Sequence, residues 1–220
     1  MSLSKVIEIA RADLGYTEYP AGSNRVKYWD AYDPQMQGQP WCVAAQWCWF
    51  NWAGERSAFM GGGKTASCSK LLRWYKENYQ AVAVRDIAEG DLAFYNFSST
   101  VEPQHCGLIT HVERSHSSIL YVKSIEGNTT TTDGSEDNGG VVAERVRYPR
   151  NIVGAARPKY QPEPEIIVPD YKGRWSEEYW EKGISLGIIK EAEDGKYRPK
   201  DNATREEVLA MIIRAMEESK

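Results

Sequence analysis

Between Ser4 and Leu14 the apolar positions Val6, Ile7, Ala10 and Leu14 recur at helical spacing and predict a first helix. The run "CVAAQWCWFNW", residues 42–52, is apolar nearly all round, which predicts a helix buried at the centre of a domain. "SCSKLLRWYKENY" returns to an amphipathic pattern, with Leu71, Leu72 and Tyr75 on the inner face of a further helix. After Gly90 the period falls to two. "DLAFYNF", "HCGLITHVER", "SILYVKSIEGN", "GVVAERVRY" and "NIVGAARPKY" read as five strands separated by turn signals. Helices first and strands afterwards predict an α+β fold with an antiparallel sheet.

The breaks fall between these segments. "PAGSN" and "DPQMQGQP" form a loop that delivers the chain to Trp41 and Cys42, and "NTTTTDGSEDNGG" is a long polar loop. "PKYQPEPEIIVPDYKG" reads as an extended, proline-rich linker. Beyond it lie a helix, a loop and a second helix. Thr204 and Glu207 have the spacing of a capping box at the start of the second helix, and Val208, Leu209, Ile212, Ile213 and Met216 form its apolar stripe. The expected organisation is a main domain over 1–158, a linker over 159–170 and a small helical hairpin over 171–220.

Composition narrows the function classes. The chain has 220 residues, 41% hydrophobic and 26% charged, with net charge -4, so it offers no basic surface for nucleic acid. It contains no run long and apolar enough for a transmembrane helix. The start "MSLSKVIEIARADLGY" reads as an amphipathic helix without an apolar signal core, so synthesis in the cytoplasm without a signal peptide is expected. Four cysteines without CxxC spacing argue against a zinc site or a disulfide framework. "MGGGKTAS" has the ending of a phosphate-binding loop, but Ala58 stands where its first glycine belongs and no strand precedes it.

Cys42 is a candidate nucleophile. At the first turn of a helix, free amide groups and the helix dipole favour a thiolate, and its own N–H is placed to hold an oxyanion. Cys48 lies mid-helix among tryptophans, Cys68 near a second helix start is the rival, and Cys106 is expected to face away from His105. Of three histidines, His116 falls in a turn, while His105 and His111 are separated by on the order of 20 Å of strand and cannot share a site. A hairpin turning about Ser115 and His116 makes cross-strand numbers sum to 231. Glu126 then lies opposite His105, with Asn128 a diagonal neighbour. Base plus orienter is what a thiol nucleophile requires. On spacing alone, a purely structural reading of the cysteines and aromatics stays open.

The order "WCVAAQWCWF", "GDLAFY", "HCGLITHVE", "SIEGNT" resembles the CHAP family of peptidoglycan amidases and endopeptidases, within the papain-like superfamily, over residues 3–158. "LGYTEYPAGSNRVKYW" resembles the lead-in of phage lysins of this kind. The resemblance implies papain-like N-terminal helices, Cys42 as nucleophile, His105 as general base, and Glu126 and Asn128 as the polar pair orienting it. Trp41 and Tyr95 are candidate groove residues. Some members bind calcium through acidic residues flanking the cysteine. Here only Asp33 remains, with Gln35, Gln37 and Ala44 offering no carboxylate, so no metal and no cofactor is expected.

The segment with "GISLGII", "DGKYRP" and "TREE" resembles one S-layer homology unit. That resemblance implies binding of secondary cell-wall polysaccharide near Arg205 and Trp175, or oligomerisation as a trimer, since such units usually occur in threes. The implied whole is a lysin that acts on the bacterial wall after release, its partner being peptidoglycan. Two alternatives remain: a papain-like hydrolase or acyltransferase on other amides, and a non-catalytic wall-binding protein.

Overall fold

The structure, a computed structural model, describes residues 2–98, 102–131, 139–162, 170–190 and 197–217. The chain divides into two units, Met1–Pro164 and Glu165–Lys220. Most of the proline-rich linker and part of the "NTTTTDGSEDNGG" and "DGKYRP" segments lie outside the described residues.

The first unit mixes helix and antiparallel sheet. It opens with helix α1 (Leu3–Ala12), then α2 (Lys27–Tyr32), α3 (Cys42–Trp52) and α4 (Cys68–Glu77). Helix α1 stops two residues short of expectation: Asp13 closes it, and Leu14 stands 43% exposed while Val6, Ile7 and Ala10 are buried. The Asp13 carboxylate accepts hydrogen bonds from Tyr28 Oη at 2.7 Å, Trp49 Nε1 at 2.8 Å and the Lys27 ammonium, which ties three helices to one side chain. The short α2 was not anticipated. It buries Tyr28 and Trp29, and Tyr28 stacks on Trp41 at 5.2 Å. Lys64 of the glycine-rich loop donates to the Tyr32 carbonyl.

The sheet comprises β1 (Ala81–Val82), β2 (Leu92–Tyr95), β3 (His105–Ser115), β4 (Ser118–Thr129), β5 (Val141–Arg147) and β6 (Ile152–Ala156), in the order β1-β6-β2-β3-β4-β5. Five of these are the predicted strands, and two-residue β1 adds an edge. Alternation sorts side chains to two faces. Leu92, Phe94, Cys106, Leu108, Ile125, Val142 and Ala156 join the helices in the main core. Ala93, Tyr95, Ile109, Val122, Ile152 and Ala155 form a smaller cluster.

The β3–β4 register corrects the expected pairing. Ser115 pairs with Ser118 and Leu108 with Ile125, so partners sum to 233, with stretches at 234 between bulges. The turn sits at His116–Ser117, His116 taking a φ of +55°. In the stretch at 233 that leads toward His105 and Glu126, the displacement is two residues. An even slip leaves every side chain on its face, so the face predicted for His105 and Glu126 survives while their direct opposition does not.

Helix α3 is buried from Cys42 through Phe50, as its uniform apolarity requires. It meets β4 at Gly127, where an added Cβ would lie 2.6 Å from Ala45 Cβ and 2.8 Å from Trp41 Cζ3. In the second unit, the described residues form α5 (Glu177–Ser185) and α6 (Arg205–Glu217), and the rings of Tyr171, Trp180 and Tyr197 pack against one another. The capping box forms reciprocally: Thr204 N donates to Glu207 Oε2 at 2.7 Å, and Glu207 N donates to Thr204 Oγ1 at 3.2 Å.

Gly127→Ala should overpack the α3–β4 contact and destabilise the first unit by about 1–3 kcal/mol, read as a lower denaturant midpoint. An unchanged midpoint would mean the contact is slack.

Candidate active site

Helix α3 places Cys42 at its first turn, with Trp41 at the N-cap position. His105 is the first residue of β3, and its Nε2 lies 2.9 Å from Glu126 Oε2, both side chains being buried. By the register, the residue facing Glu126 across the ladder is Gly107 rather than His105. A Cβ on Gly107 would lie 2.7 Å from Glu126 Cγ. The missing side chain lets Glu126 lie across the strand and reach the imidazole diagonally. With Nε2 on the carboxylate, Nδ1 is the nitrogen available to the Cys42 thiol.

The Glu126 carboxylate is fully engaged. Its Oε1 accepts from Ser124 Oγ and from Arg147 Nε at 2.8 Å, and its Oε2 accepts from Arg147 Nη2 as well as meeting His105. Tyr95 Oη in turn donates to Ser124 Oγ at 2.8 Å. Arg147 stands over the rings of Phe97 at 4.7 Å and Tyr95 at 5.3 Å. Burial alone would raise the Glu126 pKa, but Arg147 and then His105 outweigh it and hold the carboxyl below its usual range.

Charge on the thiols is unequally shared. The Cys106 and Cys68 thiols, and after the opposing effect of burial also His105, hold Cys42 well below the ordinary thiol range. Cys106 is raised by its hydrogen bond to Cys42; Cys68, drawn down by Cys106, is pushed up further by Cys42 and by burial. For His105, burial acts downward, but hydrogen bonds to Cys42 and Glu126 carry it up to about 10. Both shifts run in the direction that favours a Cys42 thiolate beside a His105 imidazolium. Cys48, by contrast, is pushed up to about 12 by burial, and its thiol donates to Tyr28 O.

Thus Cys42, His105 and Glu126 come together. Asn128 does not join them: it takes a φ of +57° at an irregularity of the β4–β5 ladder, and its side-chain oxygen accepts from Gly140 N at 3.4 Å. Trp41 and Tyr95, expected along a groove, have no exposed surface and belong to the core, because one stacks on Tyr28 and the other is fixed to Ser124. Cys106, expected to be remote, brings its sulfur within 4.8 Å of those of Cys42 and Cys68. Adjacent residues do face opposite sides, but Cys42 sits at the end of β3 and meets both. Sequence reasoning missed Arg147. A buried carboxylate needs a cation, and "GVVAERVRY" carries Arg145 and Arg147 on the predicted neighbouring strand.

In the second unit Trp175 is 90% exposed, and Arg205, also exposed, begins α6. Neither lines the cleft of about 440 Å³ bounded by Trp180, Tyr197, Thr204, Met211 and Arg214.

The family model of the S-layer homology domain matches residues 169–209. No curated protein and no solved structure matches the chain.

Because the Cys42 pKa is lowered, its thiolate should persist as pH falls through neutrality. In the reduced chain with chelator present, iodoacetamide should alkylate Cys42 at a nearly constant rate between about pH 6 and 8, where an ordinary thiol of pKa about 8.5 loses roughly tenfold per unit. His105→Ala should steepen that dependence in part, and Cys68→Ser and Cys106→Ser should steepen it further, because the two thiols do more than the imidazole to lower Cys42. A wild-type rate that climbs tenfold per unit would remove the ion pair.

Proposed function

We propose that the chain is a cysteine-dependent peptidoglycan hydrolase of the CHAP type, an amidase or peptide endopeptidase of the lysin kind, carrying an S-layer homology domain that holds it on the wall. The observation behind this reading is one constellation: a thiol at a helix N-terminus, an imidazole beside it, and a buried carboxylate 2.9 Å from the imidazole's far nitrogen. The order of short motifs that resembles the CHAP family supports the choice of substrate.

In the proposed reaction the Cys42 thiolate attacks the carbonyl carbon of a wall amide. The oxyanion is received by backbone N–H groups at the start of α3, that of Cys42 among them. The C–N bond breaks as His105 passes its proton to the leaving amine, which leaves a thioester on Cys42. Water then gives a proton to His105 and attacks the thioester, the C–S bond breaks to return the Cys42 thiolate, and the carboxylic acid departs, losing its remaining proton to solvent. Glu126 keeps the imidazole oriented throughout, and Arg147 keeps Glu126 ionised. A papain-like hydrolase on other amides would use the same atoms, and a wall-binding protein without catalysis would leave Cys42 idle.

The S-layer homology domain supports retention on secondary wall polysaccharide, with exposed Trp175 and Arg205 as the contact candidates. Its apolar stripe supports self-association. Val208, Leu209, Ile212, Ile213 and Met216 stand 44–61% exposed, and three copies would supply what three tandem units supply in other chains of this family.

Cys42→Ala should abolish release of fragments from purified sacculi, and Glu126→Gln should lower kcat more than it raises KM, since Glu126 acts through His105. The hydrolytic rate should be bell-shaped, falling on the alkaline side as His105 deprotonates near 10. Sacculi left intact by the wild type while small amides are cleaved would favour the other papain-like reading.

Separately, Trp175→Ala and Arg205→Ala should weaken wall pull-down without slowing cleavage of soluble fragments. Light scattering should show self-association at high micromolar concentration; a monomer there would defeat the trimer.

A further inference from the structure

The three sulfurs gathered beside His105 exceed what the proposed hydrolysis uses. One thiol is the nucleophile; the other two come from different elements, Cys68 from the first turn of α4 and Cys106 from β3. The three sulfurs lie within 4.8 Å of one another, and Cys42 Sγ and Cys68 Sγ are 3.8 Å apart. Zinc–thiolate bonds of about 2.3 Å set sulfurs about 3.8 Å apart in tetrahedral geometry and about 4.0 Å apart in trigonal geometry. The observed cluster is already at that spacing along one edge and needs a closure of at most about 1 Å elsewhere, within the reach of side-chain rotation. Cys48, the fourth cysteine, takes no part, its Sγ being held by Tyr28 O at 3.4 Å.

We propose that Cys42, Cys68 and Cys106 form a three-thiolate site for a thiophilic d10 metal ion, Zn2+ or Cu+, whose binding withdraws Cys42 from nucleophilic use. Soft sulfur donors select such ions over Ca2+ or Mg2+. A coordinating thiol is deprotonated outright, so each thiol still protonated gives one proton to solvent as its S–M bond forms. Three thiolates on Zn2+ leave one net negative charge, which the N-termini of α3 and α4 are placed to offset. Cys42 and Cys68 keep 6% and 7% of their surface exposed, and an ion enters from that side; Cys106 is fully buried behind them. The binding site stands on the sulfur geometry alone, whereas its role as a brake on hydrolysis rests on the reading of Cys42 as nucleophile.

The test uses the full chain, reduced and metal-free. Titration with Cd2+ should reach one equivalent per chain with the ultraviolet charge-transfer absorption of three thiolates. Zn2+, measured in competition with a chromophoric chelator, should bind on the order of tenfold or more weakly to Cys68→Ser and to Cys106→Ser, and unchanged to Cys48→Ser. One equivalent of Zn2+ should also protect Cys42 from iodoacetamide in the wild type, and a chelator should reverse the protection. Absence of a one-equivalent endpoint in the wild type overturns the site whether or not any variant folds. Equal loss in Cys48→Ser overturns it as well. Zinc bound at full stoichiometry with Cys42 still alkylated overturns the brake. None of these readings requires wall hydrolysis, so a chain that binds zinc as expected but never cleaves sacculi would refute the hydrolase reading and leave the metal site standing.

Discussion

A carboxylate buried in the sheet governs the first unit. Removing an anion such as Glu126 from water costs several kcal/mol unless its lone pairs are met by donors, and here Ser124, Arg147 and His105 meet all of them. These donors come from β4 itself, β5 and β3, so the order of three adjacent strands is what makes the charge tolerable. Arg147 is in turn held over Tyr95 and Phe97. The imidazole of His105 is therefore oriented from within the sheet, by buried groups of the neighbouring strands. The same buried charge also decides which ring nitrogen faces the thiol.

Two glycines on either side of this carboxylate couple the sheet to the helix layer. Gly107 leaves the space across which Glu126 reaches His105, and Gly127 leaves the space into which Trp41 and Ala45 settle. The separation between Cys42 on α3 and His105 on β3 is thus set by backbone approach, not by a flexible side chain. That approach demands a helix with no polar face, and α3 meets the demand with nine buried residues from Cys42 to Phe50. The dense aromatic packing of Tyr28, Trp41 and Trp49 is structural support for the placement of one thiol.

The second unit follows a different logic. Its aromatic cluster of Tyr171, Trp180 and Tyr197 and its reciprocal capping box define two helices, yet the apolar stripe of α6 stays half exposed. A unit this small buries too little surface to satisfy every apolar position by itself. Residues 169–209 of this unit match the S-layer homology domain.

Local pattern determined a good deal of this protein. The period change after Gly90, the all-round apolarity of residues 42–52 and the Thr204–Glu207 spacing are properties of neighbouring residues, and they yielded the α+β arrangement, the buried helix carrying Cys42 and the start of α6. The shared face of His105 and Glu126 was legible too, because strand alternation survives an even slip in register. What pattern could not carry was anything that depended on how many residues a turn consumes or how closely two layers approach. The true β3–β4 register, and with it the role of Gly107, follows from bulges and a turn at His116–Ser117. Asn128 was lost to the site by one left-handed residue. Arg147, Cys68 and Cys106 reach Glu126 and Cys42 across sequence separations of 21 to 64 residues, read as 147 minus 126 and 106 minus 42. Tertiary packing alone decides which side chains meet there, because the cost of a buried charge or thiol depends on every group around it and not on its neighbours in the chain.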